Sequence, residues 1–297
     1  MTEVQEQLSA EFRARLDALD VSLFKAIRSQ TELGDRASLL ALQSACGERH
    51  GRYSYLEIGS HLGGSLQAFV RDPRVETVVS IDLRPEFTPD DRGKNIPYQG
   101  NSTQRMLELL AAIPGADLTK LHTIDADTRT LAPDRVAVRP QLCFIDGEHT
   151  FESCLADARF CRQVLAPDGA IAFHDAPIIF PAIATFLREL RRDGAHVVAY
   201  PLPERVFVIE CDGGGLHRTE AIRRLLSSTH NNLPPLGRAL ASHETLGLGL
   251  RPLLLRAWLS RVGVGYPALR RHLRKVVKVR RRRLAKRISR LMPDRGA

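Results

Sequence analysis

One pattern constrains this chain more than any other: short apolar runs that stop abruptly on an acid. The stretch Gln141-Leu-Cys-Phe-Ile-Asp-Gly-Glu-His-Thr150 shows it most plainly. Leu142 to Ile145, with its lead-in, reads as a buried strand, and Asp146-Gly147-Glu148-His149 ends it with two carboxylates, an imidazole and a glycine. The pattern recurs at Val75 to Leu83 with Asp82, at Lys120 to Asp127, and at Ala170 to Ala176 with His174-Asp175. Helical stretches are expected at Leu39 to Cys46, Leu66 to Val70, Gln104 to Ile113 and Phe151 to Leu165, with a further one after Ala176 that ends at Arg192. Strands that alternate with helices predict a doubly wound α/β sheet with parallel strands. His196 to Tyr200 and Val206 to Cys211 are separated only by Pro201-Leu-Pro-Glu-Arg205. That is too short for a parallel crossover, so an antiparallel hairpin closes the sheet. Ligands of open α/β sheets gather beyond the carboxyl ends of the strands, which is where these acids fall.

The first strand, Tyr53 to Ile58, runs into Glu57-Ile-Gly-Ser-His-Leu-Gly-Gly-Ser65. Strand, glycine-rich turn and helix is the arrangement that lets backbone approach a nucleotide. The spacing excludes a dinucleotide fingerprint, because position 61 is His, and a P-loop, because Gly-Lys-Ser/Thr is missing. Asp82 lies 23 residues after Gly59, where such folds place the acid that binds ribose hydroxyls.

Here the chain resembles the class I S-adenosylmethionine-dependent methyltransferases. The nearest branch comprises small-molecule O-methyltransferases of the catechol, caffeoyl-CoA and macrocin types. The segments that carry the resemblance are Glu57 to Ser65, Ser80 to Leu83, Phe144 to Thr150 and Pro167 to Asp175, within residues 50–212. It implies a Rossmann-like sheet of seven strands whose terminal strand is reversed, and S-adenosyl-L-methionine as cofactor. The loop residues Glu57, Gly59, Ser60, Gly63 and Ser65 would then form the cofactor seat, with Gly59, Ser60 and Gly63 against the methionine part. Asp82 would hold the ribose diol, and Asp125 or a neighbour would reach the adenine. On the acceptor side the resemblance makes Asp146 and His149 the catalytic pair, His149 as general base. Asp146 and Asp175 would be ligands of a divalent ion such as Mg2+. The residue after Asp175 is Ala176, where metal-dependent relatives carry a second Asp or Asn.

Charge divides the chain. Residues 251–297 hold 16 Lys/Arg against one acid, Asp294, whereas residues 1–250 hold 27 Lys/Arg against 33 Asp/Glu. The expected organisation is an N-terminal helical cap over 1–50, a methyltransferase domain over 51–229, a linker over 230–250 and a basic amphipathic tail over 251–297. In the cap, Val4, Leu8, Phe12, Leu16, Leu19, Leu23 and Ile27 predict one amphipathic helix over 4–27. In the tail, Leu269, Leu273, Val276, Leu284, Ile288 and Leu291 form a stripe among arginines. Such a helix suits a solubilising or partner-docking tail, or an anionic membrane surface. Nucleic acid is the weaker alternative, since only Trp258 and Tyr266 are available to stack on bases.

Five cysteines without a Cys-x-x-Cys pair, an acidic start and no long apolar run lead to a cytoplasmic expectation, peripheral to the inner membrane face if the tail docks there. The leading functional reading is O-methylation of a small-molecule hydroxyl. Two alternatives are an RNA methyltransferase delivered by the tail and a membrane-attached, non-catalytic binding module. A homo-oligomer is a further expectation.

Overall fold

The structure, a computed structural model, describes residues 3–228; the linker and basic tail assigned from the sequence lie outside them. The described residues group as one compact unit. Helices α1 (Glu3–Asp17) and α2 (Leu33–His50) precede strand β1 (Tyr53–Ile58), and β2 (Val75–Ile81) follows the glycine-rich loop. A hairpin of β3 (Phe87–Asp90) and β4 (Lys94–Pro97), helix α3 (Thr103–Ala111) and strand β5 (Leu121–Ile124) come next. Strand β6 (Leu142–Ile145), α4 (Phe151–Val164), β7 (Ala170–Phe173), α5 (Ala176–Arg192), β8 (Val197–Pro201), β9 (Phe207–Cys211) and α6 (Glu220–Ser228) complete the described chain.

The main sheet has seven strands in the order β5-β2-β1-β6-β7-β9-β8. Strands β5 to β7 in this order are parallel, while β9 runs antiparallel to both β7 and β8. The expected doubly wound α/β sheet with a reversed terminal strand is therefore present. Every residue of β1, β6, β7 and β9 is buried, as strands covered on both faces must be. Helix α2 packs against α1, α6 and β1, and α4 packs against α5, β6 and β7. The chain order reverses between β1 and β6, so their carboxyl ends open the crevice where such sheets bind ligands. No helix among the described residues is long and apolar enough to cross a membrane. All five cysteines are buried and free.

Two local expectations differ from the structure. The single helix over 4–27 stops at Asp17, and Leu19 turns the backbone left-handed with φ 56°. Asp20 competes for local donors: its carboxylate accepts from the Ser22 N–H and from Arg15, and it caps a short 3-10 turn at Val21–Phe24. The apolar stripe nevertheless points inward, with Phe12, Leu16, Leu23 and Ile27 all buried. The second difference lies after the glycine loop, where the expected helix over 66–70 is a series of turns closing in a 3-10 turn at Phe69–Arg71. The buried Gln67 amide accounts for it. Its oxygen accepts from the Ile27 N–H, and its nitrogen donates to the carbonyls of Phe24, Ile27 and Gly64.

Candidate active site

An open cleft lies beyond the carboxyl ends of β1, β2, β5 and β6. Its wall includes Gly59, His61, Asp82, Tyr98, Asn101, Asp127, Asp146, Glu148 and Asp157. Gly59 is required by packing, because a Cβ there would stand 2.3 Å from the Asp146 carbonyl oxygen, and its φ is +88°. The missing side chain thus lets the ends of β1 and β6 meet at the bottom of the cleft.

Asp82, one residue past β2, is 7% exposed. One of its oxygens accepts from the His61 N–H at 2.8 Å and the other from the Arg84 N–H at 2.7 Å. The other expected cofactor residues are placed differently. Glu57 is fully buried beneath the loop and accepts from the Tyr55 hydroxyl at 2.6 Å and from the Ser65 hydroxyl. Burial pushes the Glu57 carboxyl up to about 8, against the pull of those two hydroxyls. Ser60 pairs with Ser80 at 2.5 Å, and Gly63, with φ +81°, faces Leu110 and Met106. Glu57, Ser60, Gly63 and Ser65 therefore brace the loop from behind, while Gly59 and Asp82 face the cleft. Asp125 accepts from the Thr103 hydroxyl at 2.5 Å outside the cleft wall, and its neighbours Ala126, Asp127 and Thr128 line it.

The carboxyl ends of β6 and β7 are built around His174, which is 4% exposed. Its Nδ1 lies 2.8 Å from Asp146 and 3.3 Å from Asp175, and its Nε2 faces the Asp35 carboxylate at 3.1 Å, off the line of a hydrogen bond. Burial opposes a charge on this ring, but Asp146, followed by Asp175 and Asp35, holds its pKa well above the usual 6.5. Burial also pushes Asp175 up, yet His174, His149 and Arg205 together keep it far below the usual carboxylate range. Asp175 caps α5 with a left-handed backbone, φ 46°, a strained conformation that only the surrounding packing sustains.

His149 places Nε2 3.2 Å from Asp175, and its buried Nδ1 faces Asp90 of β3 at 3.7 Å without a hydrogen-bond partner. The β3–β4 hairpin covers this ring: the Asp91 N–H donates to the His149 carbonyl at 3.1 Å, and the Phe151 N–H donates to the Asp91 carboxylate at 2.9 Å. His149 is thus beside the cleft but not on its wall, whereas Glu148 is on the wall, held by the Thr150 hydroxyl at 2.6 Å and the Ser153 hydroxyl at 2.8 Å. Asp146, His149 and Asp175 each bring one ligand atom into a group no wider than 4.8 Å.

The structure also assembles residues that sequence reasoning passed over. Asp35 comes from α2 and Arg205 from the β8–β9 turn, where its guanidinium holds Asp175 at 2.9 Å. Asp157 of α4 enters the cleft wall, hydrogen-bonded by the Thr128 hydroxyl, and burial pushes its carboxyl up to about 7. No local pattern marks Asp35 or Arg205, but Asp157 lies on the inward face of a legible amphipathic helix.

Comparison with known proteins agrees with this architecture. Residues 56–176 match a family model described as a methyltransferase domain. Among solved structures, the O-methyltransferase NovP is 13% identical with a TM-score of 0.50, over 62% of this chain and 82% of that one. The calicheamicin methyltransferase CalS11 is 17% identical with a TM-score of 0.47, over 71% and 93% of the two chains. A methyltransferase of Podospora anserina with S-adenosylhomocysteine bound is 14% identical with a TM-score of 0.43, over 71% and 89%. Among curated proteins, none matches the sequence. The family match runs from β1 to the end of β7, the strands whose carboxyl ends form the cleft, so over residues 56–176 the chain is similar to methyltransferase domains.

Proposed function

We propose that this protein transfers the methyl group of S-adenosylmethionine to a hydroxyl of a small molecule, a glycosylated or secondary metabolite. The observation that carries the reading is the position of Asp146, His149 and Asp175 at the β6 and β7 ends, beside the cleft that Gly59 and Asp82 line. The acceptor oxygen attacks the methyl carbon, the carbon–sulfur bond breaks to leave S-adenosylhomocysteine, and the hydroxyl proton passes to His149. The proton goes to Nε2 of His149, 3.2 Å from Asp175, whose carboxylate stabilises the imidazolium that forms, and Asp146, on the cleft wall, accepts a hydrogen bond from the hydroxyl before the proton leaves. Holding the two reactants in line contributes several kcal/mol, up to about 7–11 in favourable cases. Proton removal by a positioned base contributes about 10^2–10^4 in rate.

One observation favours a second choice of base: Glu148 faces the cleft and His149 does not. The variants Glu148→Gln and His149→Gln separate them, since only the true base shows a loss of the chemical step with cofactor affinity retained. The direct test of the whole reading is isothermal titration with S-adenosylmethionine followed by a methyl-acceptor screen. Absence of cofactor binding in the wild type overturns it.

The same centre bears on the divalent ion. Mg2+ prefers oxygen ligands, and this group offers two carboxylates and an imidazole, with Ala176 contributing no oxygen. The His174 imidazolium and the Arg205 guanidinium already neutralise Asp146 and Asp175. The donor set does not fit Mg2+, and our reading is transfer without it: chelation leaves turnover unchanged, and added Mg2+ leaves the melting temperature where it was. The basic stretch 251–297 is proposed as a peripheral anchor on anionic lipid, and its deletion abolishes vesicle co-sedimentation without touching cofactor binding.

A further inference from the structure

Arg84 has no part in the motifs, yet its guanidinium is more heavily engaged than any other charged group near the cleft. The side chain is 8% exposed, and the backbone beneath it is left-handed with φ 59°. A non-glycine residue holds that conformation only where the surroundings over-determine it. Nε faces the Thr103 hydroxyl at 3.1 Å and Asp125 at 3.4 Å. Nη1 donates to the His61 carbonyl and reaches Asn101 Oδ1 at 3.2 Å and Asp82 Oδ2 at 3.3 Å. Nη2 lies 3.5 Å from both the Ser80 hydroxyl and the Met106 sulfur. These are seven acceptors for the five N–H bonds of a guanidinium. Such sharing makes a clamp across several segments rather than an ion pair with one of them.

Three of the clamped residues, His61, Asp82 and Asn101, line the cleft, and Arg84 itself does not. They come from three separate parts of the chain: the loop after β1, the end of β2 and the turn before α3. We propose that Arg84 is the positioning residue of the nucleoside end, holding these three groups in register before the cofactor arrives. The proposal rests on the reading of Asp82 as the ribose carboxylate. The hydrogen bonds leave Asp82 ready for a diol. Each of its oxygens keeps one backbone N–H, and the 3.3 Å contact with Nη1 is the one a hydroxyl can replace while the guanidinium stays tied to its other partners. A lysine at position 84 carries the charge but lacks the fork that spans the segments.

The test titrates S-adenosylhomocysteine, which binds without turnover, and methylthioadenosine, which keeps the nucleoside and lacks the amino-acid end. Charge-assisted hydrogen bonds of this kind lead us to expect a roughly 10- to 100-fold loss of affinity in Arg84→Met and a smaller one in Arg84→Lys, by the same factor for both ligands. A double-mutant cycle with Asp82→Asn separates positioning from simple loss of fold. If Arg84 works through Asp82, the double variant is weakened by clearly less than the product of the single losses. Arg84→Lys, which retains the charge, keeps the cycle measurable if Arg84→Met does not fold. Wild-type affinity in either Arg84 variant, or strict additivity in the cycle, overturns the proposal. No binding of S-adenosylhomocysteine by the wild type overturns the cofactor reading instead, so the two failures are distinguishable.

Discussion

The end of the cleft that we assign to the cofactor and the end that we assign to the acceptor are built on opposite plans. At the cofactor end, Asp82 is held mainly by backbone donors one to two dozen residues away or nearer, His61 and Arg84, and Arg84 adds a clamp over adjacent loops. At the acceptor end, buried carboxylates and histidines are set against each other, and their partners come from α2 and the β8–β9 turn, far along the chain. The first plan makes a preformed surface with little free charge. The second concentrates charge that must be balanced internally. Binding and chemistry therefore respond to different substitutions.

The largest expected effect falls on chemistry alone. His149→Gln lowers kcat by about 10^2–10^4 and changes S-adenosylhomocysteine affinity by less than about twofold. An equal loss in both would merge the two ends into one unit. His174→Asn removes the cation that faces Asp146, Asp175 and Asp35, and unfolding free energy falls by about 3–5 kcal/mol, read by denaturant titration. Full stability in that variant would mean that the carboxylates find another neutralising partner. Asp82→Ala weakens cofactor binding by roughly 100-fold, as two charge-assisted bonds require, and lowers unfolding free energy by about 1–3 kcal/mol because it strands the donors that face the carboxylate.

The smallest effect concerns pH. Glu57, raised from 4.5 to about 8, holds its proton in the folded chain through a window where the unfolded chain has released it. The stability it confers is complete below about pH 4.5 and is lost as pH rises to about 8. His174 acts in the same sense, its share being present below the usual 6.5 and lost as pH climbs through its raised folded value. Asp175 acts in the opposite sense at the acid extreme: its contribution is present above the usual 3.8 and is lost as pH falls through its depressed folded value. Glu57→Gln should melt about 2–4 °C above the wild type at pH 8 and should show a flatter decline between pH 5 and 8. A parallel decline in the two proteins would assign the pH dependence to the acceptor end alone.

Strands were the most legible part of the fold. Tyr53–Ile58 and Leu142–Ile145 stand in the structure as their apolar runs predicted, because strands buried on both faces tolerate little else. The stretch after Gly63 was illegible. Its residues suit a helix, and the amide of Gln67 spends its hydrogen bonds on the distant Phe24–Ile27 turn. The same distinction divides the site. Asp82, Asp146 and Asp175 announced themselves by ending strands. Glu57, Ser60 and Ser65 shared a motif with Gly59, yet β1 alternates its side chains and the loop folds back, so they face inward.

The sequence alone determined the alternation of strands and helices, the acids at the strand ends and hence the edge of the sheet where the chemistry gathers. These depend on apolar period and chain length, which are local quantities. Tertiary structure decided the setting of that edge: that His174 lies among three carboxyl groups that hold its pKa above the usual 6.5, that Arg205 holds Asp175, that Asp90 covers His149 and that Arg84 ties three cleft-lining segments together. The physical reason is that ionisation and orientation depend on burial and on partners within a few ångströms, and residues far apart in sequence, such as Asp35 and His174, become neighbours only once the helices have packed on the sheet.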